Sequence, residues 1–237
     1  MLGILVQLIL SWIIIYFVQK KDLGVLGFMP TRKRLIGFVF FFILTALCCA
    51  SGFFLRMYFG GESWTLNPNM NTRMALTGVW WNIKSVLFEE LIFRGVLLYI
   101  LIKRLGMAWG IIISSVAFGI YHWFSHEVIG NYTQMAFTFL ITGTMGLVYA
   151  YGYARSWSIL IPSAIHLGWN LTQGFIFSSG PTGDQLLIYH APEHPVTVSQ
   201  LVYYILVFAP LLSAILLNFF FLKKYSKENG QLAMDNG

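Results

Sequence analysis

The 237 residues are 57% hydrophobic and only 10% charged, with a mean hydropathy of +0.71. A soluble domain carries about a quarter charged residues, so this composition excludes an ordinary water-soluble core and makes lipid the expected solvent. The net charge of +6 does not mark a nucleic-acid binder, because the basic residues fall in short connections between apolar runs, the positive-inside pattern.

A first uncharged stretch, Leu2 to Val18, precedes Lys20 and Lys21. It lacks the basic start and small-residue cleavage site of a signal peptide, so it reads as a retained span. Asp22 to Arg34 mixes basic residues with Leu23, Val25, Leu26 and Phe28, a composition that suits either the membrane surface or a solvated loop. A second span runs from about Leu35 to Phe59 and contains Cys48 and Cys49. Adjacent cysteines rarely bridge each other, which leaves packing as their expected role. After a turn-rich stretch, Gly60 to Thr72, a long helix from about Met74 to Ile102 closes on Lys103 and Arg104. Further spans cover about Met107–Phe124, Tyr132–Tyr151, Trp157–Phe177 and Val198–Leu222.

The expected fold is an all-α, polytopic transmembrane bundle of about seven spans (six to eight), with any site inside it. One membrane domain covers 1–222, and 223–237 reads as a polar, disordered tail. Eleven of the fifteen basic residues collect on one side, which predicts an outer N-terminus and a cytoplasmic C-terminus. A β-barrel is excluded because the apolar runs are continuous and do not alternate.

An ionisable residue at the centre of a span costs on the order of 3 kcal/mol on insertion scales, and several occur here in three patterns. Glu89-Glu90-Leu91-Ile92-Phe93-Arg94 is an E-E-x-x-x-R run. Glu90 and Arg94, at i and i+4, can pair on a helix, whereas Glu89 is turned about 100° away. Burial and a neighbouring acid suit Glu89 to accepting a proton. Phe118 and His122 form F-x-x-x-H; His166 and Asn170 form H-x-x-x-N and share one helix face. Imidazoles and a carboxamide suit holding water and donating to an oxyanion. Taken singly, each pattern also fits a structural role: an ion pair between helices, or a histidine bonding across them. Their depths agree, however. At about 1.5 Å per residue, Glu89 lies roughly 21 Å from Lys103, His122 roughly 22 Å from Met107, and Asn170 roughly 20 Å from Trp157. His166 lies at roughly 14 Å, one turn away. His126, His190 and His194 fall in outer loops, and no G-x-S-x-G, Walker loop, C-x-x-C or H-E-x-x-H is present.

E-E-x-x-x-R, F-x-x-x-H and H-x-x-x-N, in that order on separate apolar helices, resemble the CPBP family of intramembrane proteases. This family comprises the CAAX proteases and bacteriocin-processing (Abi) enzymes and includes the type II CAAX prenyl endopeptidase. The resemblance is carried by Lys84 to Asn170, with a family-like core of about 74–177. It implies intramembrane hydrolysis of a peptide or membrane-anchored protein substrate: Glu89 activating the water, His122 helping to hold it, and His166 with Asn170 stabilising the oxyanion. Glu90 with Arg94 resembles the supporting pair, and Phe118 a packing residue. Family members have been described both as metalloproteases and as glutamate-dependent proteases. A zinc ion would draw on Glu89, Glu90, His122 and His166, but Asn170 one turn after His166 favours metal-free chemistry. The competing readings are a non-catalytic membrane protein that neutralises a partner, as bacteriocin immunity proteins do, and a proton-coupled transporter. The transporter reading fits less well, since the polar groups cluster at one level and no repeated halves are visible. The expected setting is a multi-pass bacterial cell-membrane protein in contact with the bilayer and with no nucleic-acid partner.

Overall fold

The computed structural model describes residues 2–178, 186–194 and 196–234, with side chains described to Tyr225. Its eight α-helices are α1 (Leu2–Gln19), α2 (Arg32–Gly60), α3 (Thr72–Phe93), α4 (Val96–Leu105), α5 (Met107–Ser125), α6 (Tyr132–Ser156), α7 (Leu160–Leu171) and α8 (Gln200–Met234). The chain is an all-α polytopic membrane bundle. Among the described residues, five helices are long and apolar enough to cross a membrane: α1, α2, α5, α6 and α8 over Gln200–Tyr225. The side chains they leave exposed are large and apolar, Leu47, Phe54, Trp109 and Leu216 among them, as a lipid-facing surface requires.

Three of the long helices, α2, α3 and α6, start on a side-chain cap. Thr31 accepts from the Arg34 amide, Asn71 from that of Met74 and Asn131 from that of Gln134, each satisfying an amide that the first turn leaves unpaired.

The single helix expected from Met74 to Ile102 is instead two, α3 and α4, broken at Arg94 and Gly95. At Gly95 a Cβ atom would lie 2.1 Å from the Leu91 carbonyl oxygen, so only glycine fits. The break exposes the Phe93 carbonyl, and the Ser114 hydroxyl of α5 donates to it at 2.7 Å. α7 is likewise shorter than expected and runs into a π-helical turn, Thr172–Ile176. It crosses α2 closely at Gly168, where a Cβ would meet the Phe42 carbonyl oxygen at 2.4 Å.

The helices define two ends. At the basic end, Leu23–Leu26 forms a short 3-10 turn with Leu26 fully buried. Tyr153 Oη donates to Val25 O at 2.8 Å and Ser158 Oγ to Gly27 O at 2.7 Å. The leucine and these carbonyls are taken up by α4, α6 and the α6–α7 turn, whereas Phe28 to Arg32 stay exposed. Lys103 stands 5.5 Å from the Trp157 ring centroid and Arg34 Nη2 donates to Trp157 O, so the basic connections do gather at one end.

At the opposite end the two connections expected to be irregular pair as antiparallel strands, β1 (Ser63–Leu66) and β2 (Leu187–His190), with Trp64 opposite Tyr189. Strands of four residues set among Gly, Pro and Asn carry too little periodic signal to show in the sequence. Of the Ser178–Pro195 stretch, residues 179–185 and 195 lie outside the described residues. The backbone of α8 is helical through Lys223 to Met234, and residues 235–237 lie outside the described residues. Cys48 and Cys49 are free and buried.

Candidate active site

α3 ends where the chemistry collects. Its last turns carry Glu89 and Glu90, and Arg94, the C-cap residue just before the break at Gly95, stays one helical turn from Glu90, its amide bonded to the Glu90 carbonyl. Arg94 Nη1 donates to Glu90 Oε1 at 3.1 Å, with both side chains wholly buried. The same oxygen accepts from His166 Nδ1 of α7 at 2.8 Å, and Arg94 Nη2 donates to the Gly146 carbonyl of α6 at 3.3 Å. The guanidinium also lies 4.0 Å from the Phe118 ring centroid and 5.0 Å from that of Tyr149. Glu90 is thus held through Oε1 by a cation and an imidazole, and Arg94 by a carboxylate, a carbonyl and two aromatic faces, while Glu90 Oε2 and Arg94 Nε have no hydrogen-bond partner among the described residues.

Glu89 is in a different environment. Its Oε2 lies 3.9 Å from His122 Nε2 and 3.8 Å from His166 Nε2, beyond hydrogen-bond length. This oxygen is buried without a hydrogen-bond partner among the described residues, and Ser85, one turn earlier on α3, stands on the same cavity wall. His122 Nδ1 faces the Phe118 carbonyl at 2.8 Å. A carbonyl only accepts, so Nδ1 carries the proton and Nε2 turns a lone pair toward Glu89. For His166 the Glu90 carboxylate fixes the proton on Nδ1 in the same way, and Asn170 Nδ2 donates to Nε2 at 3.2 Å.

All seven residues singled out in the sequence therefore come together. Glu89, His122, His166 and Asn170 surround one point; Glu90 and Arg94 lie behind it. Phe118 packs edge-on against His122 (4.4 Å between centroids) and His166 (5.8 Å). Of the outer histidines, His190 pairs with Thr65 Oγ1 at 2.8 Å beside the sheet. His126 is exposed but reaches the His122 ring at 5.2 Å between centroids.

A cavity of about 730 Å³ opens onto these groups and extends to the helix ends beside the sheet, with Ser125, His126, Phe177 and Ser178 on its wall. The sequence reading missed several of its residues. Asn82 and Ser85 stand on α3 seven and four positions before Glu89, and Gln173 three positions after Asn170. That helical spacing is a signal the sequence does contain. Tyr149 was also missed. It stacks on His166 with centroids 4.6 Å apart and planes within 15°, but nothing in its own segment sets it apart from Tyr151 or Tyr153.

The donor set fits zinc poorly. Tetrahedral bonds of about 2.0–2.1 Å would hold ligand atoms about 3.3 Å apart, closer than the 3.8 and 3.9 Å separations found. The Glu90 oxygen nearest the histidines is already shared between Arg94 and His166. Among the described residues, no group of three or more His, Cys, Asp or Glu is placed to hold a metal ion.

Fold and site together define an integral membrane protein in which Glu89, His122 and His166, drawn from three helices, face one cavity, with Glu90 behind them. Residues 71–172 match the family model described as type II CAAX prenyl endopeptidase Rce1-like. The match spans all three motifs, bears out the resemblance they carry and supports a CAAX-type intramembrane protease in general. Neither the curated proteins nor the solved structures gave a match.

Proposed function

We propose that the protein is an intramembrane endopeptidase in which Glu89 activates water against a peptide bond. The observation that carries this reading is the position of Glu89 Oε2, buried on the cavity wall and 3.9 Å from the His122 Nε2 lone pair. A water about 2.8 Å from both atoms fits that gap, donating one hydrogen to the carboxylate and the other to the imidazole. Its remaining lone pairs then face the cavity. Attack forms the new C–O bond as Glu89 takes the proton, and the carbonyl oxygen becomes an oxyanion. Asn170 supplies one amide hydrogen to it while the other holds His166. His166 Nε2, accepting that second hydrogen, holds the carboxamide in place for the oxyanion. Collapse breaks the C–N bond, and Glu89 returns its proton to the leaving nitrogen.

By the positive-inside rule the sheet end, and with it the cavity mouth, lies on the outer side of the membrane, with the C-terminus cytoplasmic. The substrate is a peptide or membrane-anchored protein that enters the cavity from that side.

Two experiments test this. Comparing the membrane proteome of cells carrying wild type or Glu89→Ala at equal levels should reveal peptides released only by wild type. An unchanged cellular phenotype in the Glu89→Ala strain would instead favour partner binding without catalysis. In purified protein, an EDTA-class chelator should leave cleavage intact. Full inhibition reversed by zinc would replace the metal-free mechanism.

A further inference from the structure

The cavity wall is apolar or neutral apart from its histidines and two residues, Glu89 and Arg56. Arg56 is the sole Lys or Arg on that wall among the described residues, and it lies one turn before the end of α2, toward the sheet. Its guanidinium is preorganised. The carbon Cζ rests 4.4 Å from the Phe53 ring centroid, and Phe53 stacks on Phe177 at 4.4 Å with planes 15° apart. Nε donates to Glu62 Oε2 at 3.2 Å. That bond occupies one of five donors, and no hydrogen bond from either Nη atom is found among the described residues. The side chain is 37% exposed, against 20% for Glu62. A guanidinium fixed by an aromatic face and a bond through Nε, with its Nη edge uncommitted, suits the paired oxygens of a carboxylate.

Resting on the protease reading above, we propose that Arg56 forms a subsite for a carboxylate of the substrate. The acid site, Glu89, and the basic site, Arg56, share one cavity wall, so they orient an occupant. A negative group is drawn to the mouth and repelled from the depth, which leaves a neutral stretch of chain at Glu89. Either a free C-terminus or an acidic side chain has the required chemistry.

The test uses full-length protein with Glu89→Gln, in phosphatidylcholine nanodiscs, so that binding is read without turnover. The probes are N-acetyl-Leu-Leu-Phe as free acid, the same peptide as amide, and N-acetyl-Asp-Leu-Phe amide. The free acid or the Asp peptide should bind about tenfold or more tighter than the uncharged amide, and which of the two does so identifies the carboxylate source. Adding Arg56→Gln should remove that preference and leave affinity for the uncharged amide unchanged. Glu62→Gln, which frees the guanidinium from its ion pair, should keep the preference. Equal binding of all three probes, no binding, a preference that survives Arg56→Gln, or one lost in Glu62→Gln would overturn the subsite. The protease reading fails on a different result, identical membrane proteomes in wild-type and Glu89→Gln cells, whatever the probes show.

Discussion

Glu89 and Glu90 are neighbours in the chain, yet the regions around them are built on opposite principles. Around Glu90 the contacts close: Arg94, His166, Gly146, Phe118 and Tyr149 pack about a fully buried acid and base, although Glu90 Oε2 and Arg94 Nε have no hydrogen-bond partner among the described residues. Around Glu89 the contacts stay open, with two imidazole nitrogens near its outer oxygen but outside bonding length, and a cavity in front. One side of the α3 terminus holds helices together; the other is left free for chemistry. His166 belongs to both, with Nδ1 in the closed region and Nε2 in the open one, so the closed region sets the orientation of a group in the open one.

The sharpest way to break this contrast is to open the closed region. Arg94→Met should cost about 3–5 kcal/mol by leaving Glu90 charged and unpaired in a low-dielectric interior, read as a large fall in melting temperature in detergent. Glu90→Gln/Arg94→Met, which removes both charges, should regain much of that loss. If the single substitution melts like wild type, the pair is not a structural element. On the open side the opposite holds. Glu89→Gln should leave melting near wild type and lower kcat about 10²- to 10⁴-fold, the usual range for losing a general base. Asn170→Ala should follow with a loss of about 10²- to 10³-fold, the scale of a single oxyanion donor. A rise in KM alone would make Asn170 a substrate contact rather than an oxyanion donor.

The contrast was partly legible before any coordinates. The i,i+4 spacing of Glu90 and Arg94 announces a pair, and the 100° offset of Glu89 announces its separation from it. Matched depths in three apolar segments were enough to expect His122, His166 and Asn170 nearby. The break at Gly95 was not legible, since a glycine among helix formers is often tolerated, and only the approach of the Leu91 carbonyl makes it decisive. The short sheet stayed hidden because four-residue strands give only two periods of alternation. The bond from His166 to Glu90 was invisible for another reason: it depends on how α7 is rotated against α3, which the close crossing of α2 at Gly168 helps to fix.

Tyr149 offers the finest test of how the two regions are joined. Its ring stacks on His166 and also faces Arg94, so it supports the imidazole from the closed side without reaching Glu89's oxygen. An aromatic pair is worth about 0.5–1.5 kcal/mol beyond its buried area. Tyr149→Leu should therefore lower kcat by about two- to tenfold, with a smaller effect on melting than Arg94→Met. Tyr149→Phe keeps the ring and should stay within about twofold of wild type, on the view that stacking and not the hydroxyl holds the imidazole plane. A Phe variant as impaired as the Leu variant would shift the role to the hydroxyl. A Leu variant with full activity would mean that Glu90 alone orients His166, and that the closed region reaches the open one through a single hydrogen bond.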